Sequence, residues 1–331
     1  MGKRTPANND GGRALQKGRA QDPFIVVVGH VRSGTTLLRA MLDSHPELAI
    51  PPEAYGVVPM LQRGAQASCD LGDMIERFRA DKYFGDWQMP AESIETLRDD
   101  PRVVTNADAV AGLYHLYACM HGKPRYGDKT PSHTHLMHVM ADSFPAARFL
   151  HIVRDGRDVA ASVVTMDFGA GEFAEAARSW SRKVERGHRT GLQLGPDRYR
   201  LIHYEDLVDH PKEVLEEVCD FFDLPFTTEM LEYDRRAEEL LDGVRETDHI
   251  QGIRRPPTAG LRDWHVDLTP HQIAVFDEIA GDTLEELGYP RSGLRRSWKA
   301  RATAIATDVR FQARRKWRNT SRRVRRKLAQ R

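Results

Sequence analysis

The run Phe24-Ile-Val-Val-Val28 leads straight into Gly29-His-Val-Arg32-Ser33-Gly34-Thr35-Thr36 and then into Leu37-Leu38-Arg-Ala-Met41-Leu42, whose apolar residues fall at helical spacing. An unbroken, mostly β-branched run is what a strand buried on both faces of a parallel sheet requires. Followed at once by a glycine-bounded loop and a helix, it predicts a strand, loop and helix unit, and with it an α/β fold.

The same loop has the make-up of an anion cradle. Its backbone N–H groups can turn inward, the following helix N-terminus adds partial positive charge, and Ser33, Thr35 and Thr36 add hydroxyl donors. It departs from the nucleotide-hydrolysing pattern GxxxxGK[ST], because Thr35 stands where that loop has lysine and the positive charge has moved to Arg32. Arginine can grip an oxyanion with a two-pronged fork. A magnesium-dependent nucleotide kinase or NTPase would want the lysine, so that reading is the alternative from another class, beside a nucleotide-binding module that has lost its chemistry.

Two further apolar runs, Arg148-Phe-Leu-His-Ile-Val153 and Tyr199-Arg-Leu-Ile-His203, each precede a helical pattern, over 155–164 and 211–222. Alternating strands and helices predict a parallel sheet with right-handed crossovers. Helix-like patterns over 54–65, 70–81 and 107–121, with Pro90 and Pro101 between them, read as a helical insertion between strands, and 165–195 as a further helical segment. Residues 1–22, polar and without apolar periodicity, read as a disordered leader. The apolar run behind it is too short for a signal peptide or a membrane span, which makes the expected location cytoplasmic. Cys69, Cys119 and Cys219 lack the spacing of a disulfide framework or zinc site and read as buried small hydrophobes.

The net charge of +1 hides an asymmetry: residues 291–331 carry 16 Lys/Arg and the single acid Asp308, leaving 33 basic and 47 acidic residues before them. Within this tail Trp298, Ile305, Val309, Phe311, Trp317, Val324 and Leu328 recur at intervals close to helical. The pattern predicts a basic, partly amphipathic helix suited to an anionic membrane surface, with nucleic acid, an acidic partner or the protein's own acidic body as alternatives and no specific nucleic acid implied.

The stretch Val31-Arg-Ser-Gly-Thr-Thr-Leu-Leu-Arg-Ala-Met-Leu-Asp-Ser-His-Pro46 resembles the loop of the sulfotransferases that use 3′-phosphoadenosine 5′-phosphosulfate (PAPS), and among them the tyrosylprotein sulfotransferases and their bacterial relatives. The resemblance assigns Arg32, Ser33, Gly34, Thr35 and Thr36 to the 5′-phosphosulfate. Phe149-Leu-His-Ile-Val-Arg154-Asp-Gly-Arg-Asp-Val-Ala-Ala-Ser162 is similar to the family's element for the 3′-phosphate, which maps that role to Arg154 and Ser162. Gly127-Asp-Lys129-Thr-Pro131 resembles its lysine segment, Tyr204-Glu-Asp-Leu207 its tyrosine-glutamate strand end, and Thr258-Ala-Gly260-Leu-Arg262-Asp-Trp264 the late loop that closes over the donor. The domain implied spans 23–290, with PAPS as co-substrate and no metal.

Sulfuryl transfer needs cationic stabilisation of developing oxygen charge, a role that falls to Arg32 and Lys129, and a base for the acceptor hydroxyl. Glu53, in Ile50-Pro-Pro-Glu53, occupies the position of the tyrosylprotein enzymes' catalytic glutamate and is the expected base. Other branches use a histidine, which leaves His30, His133 and His135 as alternatives, and Glu53 as a helix cap is the structural alternative. Pro51-Pro52 and Ala54-Tyr-Gly-Val-Val differ from the tyrosylprotein pattern, so the acceptor hydroxyl is as readily that of a lipid, glycan or small metabolite as of a peptide.

Overall fold

The computed structural model describes residues 23–81, 83–166, 172–236, 254 and 263–328, and of 314–328 the helical backbone alone. Among these residues five parallel strands form one sheet in the order β2-β3-β1-β4-β5, namely β1 (Ile25–Val28), β2 (Leu48–Ala49), β3 (Arg125–Lys129), β4 (Arg148–Val153) and β5 (Tyr199–His203). The α/β class with a parallel sheet and flanking helices is as the sequence predicts.

β1 is central because all four of its residues are buried, and alternation sends them to two different cores. Ile25 and Val27 pack with Leu38, Met41 and Leu42 of α1 (Thr35–Asp43) and with Phe222 of α10 (Pro211–Phe222). Phe24, Val26 and Val28 face the other layer, with Phe149 and with residues of the insertion between β2 and β3. That insertion holds α2 (Val57–Leu61), α3 (Leu71–Ala80), α4 (Ala91–Glu95) and α5 (Asn106–Met120). α2 is shorter than the pattern over 54–65 suggests, because Glu53, Ala54 and Tyr55 are held by side chains of the site instead of by helix bonds.

A third core joins α7 (Gly156–Val164), α8 (Phe173–Leu194), α12 (Pro270–Glu286) and α13 (Trp298–Leu328) around Trp180 and Phe276. The short α6 (Met137–Ser143), α9 (Tyr204–Asp209) and α11 (Trp264–Asp267) join these, with short 3-10 turns between elements. No disulfide links the cysteines; Cys219 is buried as expected, whereas Cys69 and Cys119 are only half-buried because they sit at the edges of α3 and α5. Among the described residues no helix is long and apolar enough to cross a membrane.

β3 was not legible as a strand. Its sequence, Arg-Tyr-Gly-Asp-Lys, is polar, yet all but one of its residues are buried between β1 and β2. Side-chain partners from distant segments satisfy it, including Tyr114 on Asp128 and Glu53 on Lys129.

Burial of imidazoles gives the fold a pH signature. His151 on β4 is pushed down to about 3, mainly by burial and then by the nearby His188, and His30 likewise to about 3 by burial and the charge of Lys183. Below pH ~6.5 the unfolded chain takes up protons on these rings while the folded chain does not, so stability is full above that pH and is lost as pH falls towards 3. At pH ~5 each ring should cost roughly 2 kcal/mol. Denaturant titrations of wild type and His151→Asn, which can keep the bond to the Tyr199 hydroxyl, should show the variant losing less stability on acidification. Parallel losses would clear His151 of the effect.

Candidate active site

The residues singled out in the sequence gather where neighbouring strands end. β1 ends at Val28 just before the Arg32 loop, β3 ends at Lys129, β4 at Val153 before Arg154, and β5 at His203 before Tyr204. In a parallel sheet these carboxyl ends share one edge, and β1, flanked by β3 on one side and β4 on the other, is where the order of the chain reverses. A crevice at such a reversal is the usual ligand site of open α/β sheets.

The cradle loop is held by its neighbours. Thr134 Oγ1 both accepts from the Gly29 N–H and donates to the Gly29 carbonyl, each at 2.8 Å. Gly34, which precedes α1, has φ of +86°, and a Cβ there would stand 2.3 Å from Tyr204 Cδ2, so both the backbone and the packing demand glycine. α1 has no side-chain cap at Gly34, which leaves its first N–H groups directed at the crevice. The Ser33 hydroxyl is buried and without a hydrogen-bond partner among the described residues.

Arg32 adopts φ +70° and its Nε donates to Ser162 Oγ at 2.9 Å, a contact across 130 residues. Ser162 lies in α7, two turns beyond Arg154. Arg154 is itself buried; its guanidinium lies 4.6 Å from the Tyr204 ring centre, one nitrogen reaches Asp158 at 3.4 Å, and its Nε has no partner among the described residues. Tyr204 therefore sits between Gly34 and Arg154 and joins the two turns. Glu205 beside it accepts from the Asp155 N–H at 3.0 Å and from the Tyr289 hydroxyl at 2.7 Å, fastening β4, β5 and the end of α12.

A second cluster surrounds Glu53. Lys129 Nζ donates to Glu53 Oε1 at 2.8 Å and the Tyr55 hydroxyl to Glu53 Oε2 at 2.6 Å. Burial alone would raise the Glu53 carboxyl, but the Lys129 charge and these two donors hold it below its usual value, so it is ionised at neutral pH. The Lys129 side chain is only 4% exposed and Glu53 25%, which leaves the carboxylate as the reachable member of the pair. Glu53 does not cap a helix, since α2 begins at Val57 with Gly56 before it.

Asp128 and Tyr55 were missed as parts of this site. Asp128, fully buried, accepts from Tyr114 at 2.6 Å and Thr130 at 3.0 Å and pairs with His133 Nδ1 at 2.8 Å; Thr130 Oγ1 in turn accepts from the Ala54 N–H at 2.9 Å. This chain of bonds fixes the backbone beside Glu53. An acidic residue immediately before Lys129, on the opposite strand face, was the available signal. Burial drives His30 to about 3 and His135 to about 4, which leaves both weaker bases than the ionised Glu53, while His133 turns Nδ1 to Asp128 and has no partner at Nε2 among the described residues.

Gly260 and Arg262 lie outside the described residues. The end of their segment is seen: the Trp264 N–H donates to Asp158 Oδ1 at 2.8 Å and its ring lies 3.7 Å from the Arg157 guanidinium carbon. Thus the late loop returns to α7 beside the Arg154 turn. Burial pushes the Asp158 carboxyl up to about 6 despite the charge of Arg154. Among the described residues no cluster of three or more His, Cys, Asp or Glu is disposed to hold a metal.

The two turns present donors side by side. Uncapped N–H groups and an unpartnered hydroxyl stand at the Arg32 loop, and an unpartnered guanidinium nitrogen stands at the Arg154 turn.

Comparison with known proteins gives the same frame. The family model described as "Sulfotransferase family" matches residues 23–228. The chain is 28% identical over 222 residues to a protein-tyrosine sulfotransferase of Drosophila melanogaster, covering 64% of this chain but 40% of the fly protein. It is 28% identical over 286 residues to protein-tyrosine sulfotransferase 1 of Danio rerio, covering 81% of this chain and 72% of that protein. A solved sulfotransferase domain from the Curacin biosynthetic pathway superposes with a TM-score of 0.60 at 25% identity, over 81% of this chain and 98% of that one.

Proposed function

We propose that this chain, which belongs to the sulfotransferase family, moves a sulfuryl group from PAPS to a hydroxyl of a lipid, glycan, small metabolite or peptide. One observation supports the reading: the turns after β1 and β4 meet through the Arg32–Ser162 bond and through Tyr204, so the two arginine-bearing turns lie side by side. Their union matches a ligand with phosphate at one end and phosphosulfate at the other.

In this reading the Arg32 loop, with Ser33, Gly34, Thr35 and Thr36, holds the 5′-phosphosulfate, and Arg154 with Ser162 holds the 3′-phosphate. Tyr204 orients Arg154, and Gly260 and Arg262 belong to the loop that covers the nucleotide. PAPS supplies a sulfuryl group on a good phosphate leaving group. Glu53 takes the proton of the acceptor hydroxyl as its oxygen bonds to sulfur, and the bond from sulfur to the bridging oxygen breaks. Lys129 and Arg32 stabilise the charge that gathers on the bridging and equatorial oxygens, and adenosine 3′,5′-bisphosphate leaves. Because Glu53 is held ionised before acceptor binds, it starts in the form a base requires.

The test is transfer of labelled sulfate from PAPS by the purified chain to lipid, glycan, phenol and peptide fractions. Label should enter one of them, with adenosine 3′,5′-bisphosphate as co-product. No transfer to any fraction, together with no binding of adenosine 3′,5′-bisphosphate, would end this reading.

A further inference from the structure

The basic C-terminal helix divides into a face that belongs to the protein and one that does not. Ala300, Ala304 and Thr307 of α13 are buried against the third core, and Asp308, Arg310 and Phe311 are tied to Arg178, Glu172 and Arg182 of the α8 region. On the other side Trp298, Ile305 and Val309 are 76, 56 and 63% exposed. Their spacing of seven and four residues puts them in one line along the helix, pointing away from the body.

Exposed cations border this line, namely Lys299 and Arg301, with Arg295 and Arg296 just before the helix. The helix then runs on to Leu328, and its sequence from 314 to 328 holds nine Lys/Arg and no acid. Before residue 291 acids outnumber Lys/Arg by 47 to 33, so the body and the tail carry opposite charge.

We propose that α13 is a docking face for an anionic lipid bilayer, entered by Trp298, Ile305 and Val309 and held at the headgroups by the surrounding arginines and lysines. A polyanion such as nucleic acid would be satisfied by the charge alone. A tryptophan and two aliphatic side chains set out of the body among cations match a surface with hydrocarbon directly beneath its charge. The acidic body is repelled by that same surface, so attraction at α13 and repulsion elsewhere orient the molecule with this end down. None of these α13 residues belongs to the candidate active site, so the proposal stands whichever acceptor is found.

Co-sedimentation of the full chain with phosphatidylcholine vesicles, with and without phosphatidylglycerol, tests it. Binding to the anionic vesicles should exceed binding to the neutral ones by about tenfold or more and weaken with added salt. The triple variant Trp298→Ser, Ile305→Ser, Val309→Ser keeps every charge and alters exposed side chains only; it should fold as wild type by circular dichroism and lose about tenfold in vesicle binding. Equal binding to both vesicle types overturns the proposal, as does undiminished binding by the triple variant. Retention on duplex DNA with none on vesicles overturns it in favour of a nucleic-acid partner.

Discussion

Glu53→Gln should lower kcat for sulfuryl transfer by about 10²–10⁴ while changing affinity for adenosine 3′,5′-bisphosphate by less than about threefold. Glutamine keeps an oxygen and an amide where Lys129 and Tyr55 approach at 2.8 and 2.6 Å, so the site retains its shape and loses its base. Alanine is the harsher variant. It strands the ammonium of Lys129 in a buried position without its carboxylate, which costs about 3–5 kcal/mol and confuses chemistry with folding. Single-turnover rates with saturating PAPS, alongside calorimetric titration of the bisphosphate, separate the two effects. If kcat is unchanged in Glu53→Gln, the base is elsewhere and His133→Gln becomes the next variant to measure.

Arg154→Ala should weaken binding of adenosine 3′,5′-bisphosphate by about 30- to 100-fold, on the scale of one or two charge-assisted hydrogen bonds, and leave adenosine 5′-phosphate nearly unaffected. The comparison of the two nucleotides isolates the 3′-phosphate, because everything else about the ligand is shared. Removing Arg154 also takes from Asp158 the cation 3.4 Å away that opposes the effect of burial. The Asp158 carboxyl should then titrate higher than about 6, and the variant should lose stability above that pH, where the buried carboxylate must ionise without its cation. Equal weakening of both nucleotides would mean that Arg154 braces the Tyr204 side of the crevice instead of reading the 3′-phosphate.

How far the molecule could be read from its residues depends on how far apart the deciding partners lie in the chain. β1, β4 and β5 were legible because their apolar runs are themselves the reason they are buried, and the turns carrying Arg32 and Arg154 because a strand, a short polar loop and a helix are a local matter of backbone and hydroxyl donors. That Ser162 stands two turns along the helix beyond Arg154 follows from helical spacing alone. β3 was not legible, since a polar strand is buried only when Tyr114, Thr130 and His133 meet Asp128, and Glu53 meets Lys129 from 76 residues away. The same holds for the pairing of Arg32 with Ser162 and for the seat of Tyr204 between Gly34 and Arg154. Sequence alone settled the parallel α/β layering, the two strand, loop and helix turns and the charged tail, all of which depend on residues within a few turns of each other. Only the tertiary structure decided which cradle meets which, what holds Glu53 ionised, and which face of α13 is left to the outside, because strand order and helix docking are set by the packing of segments far apart in the chain.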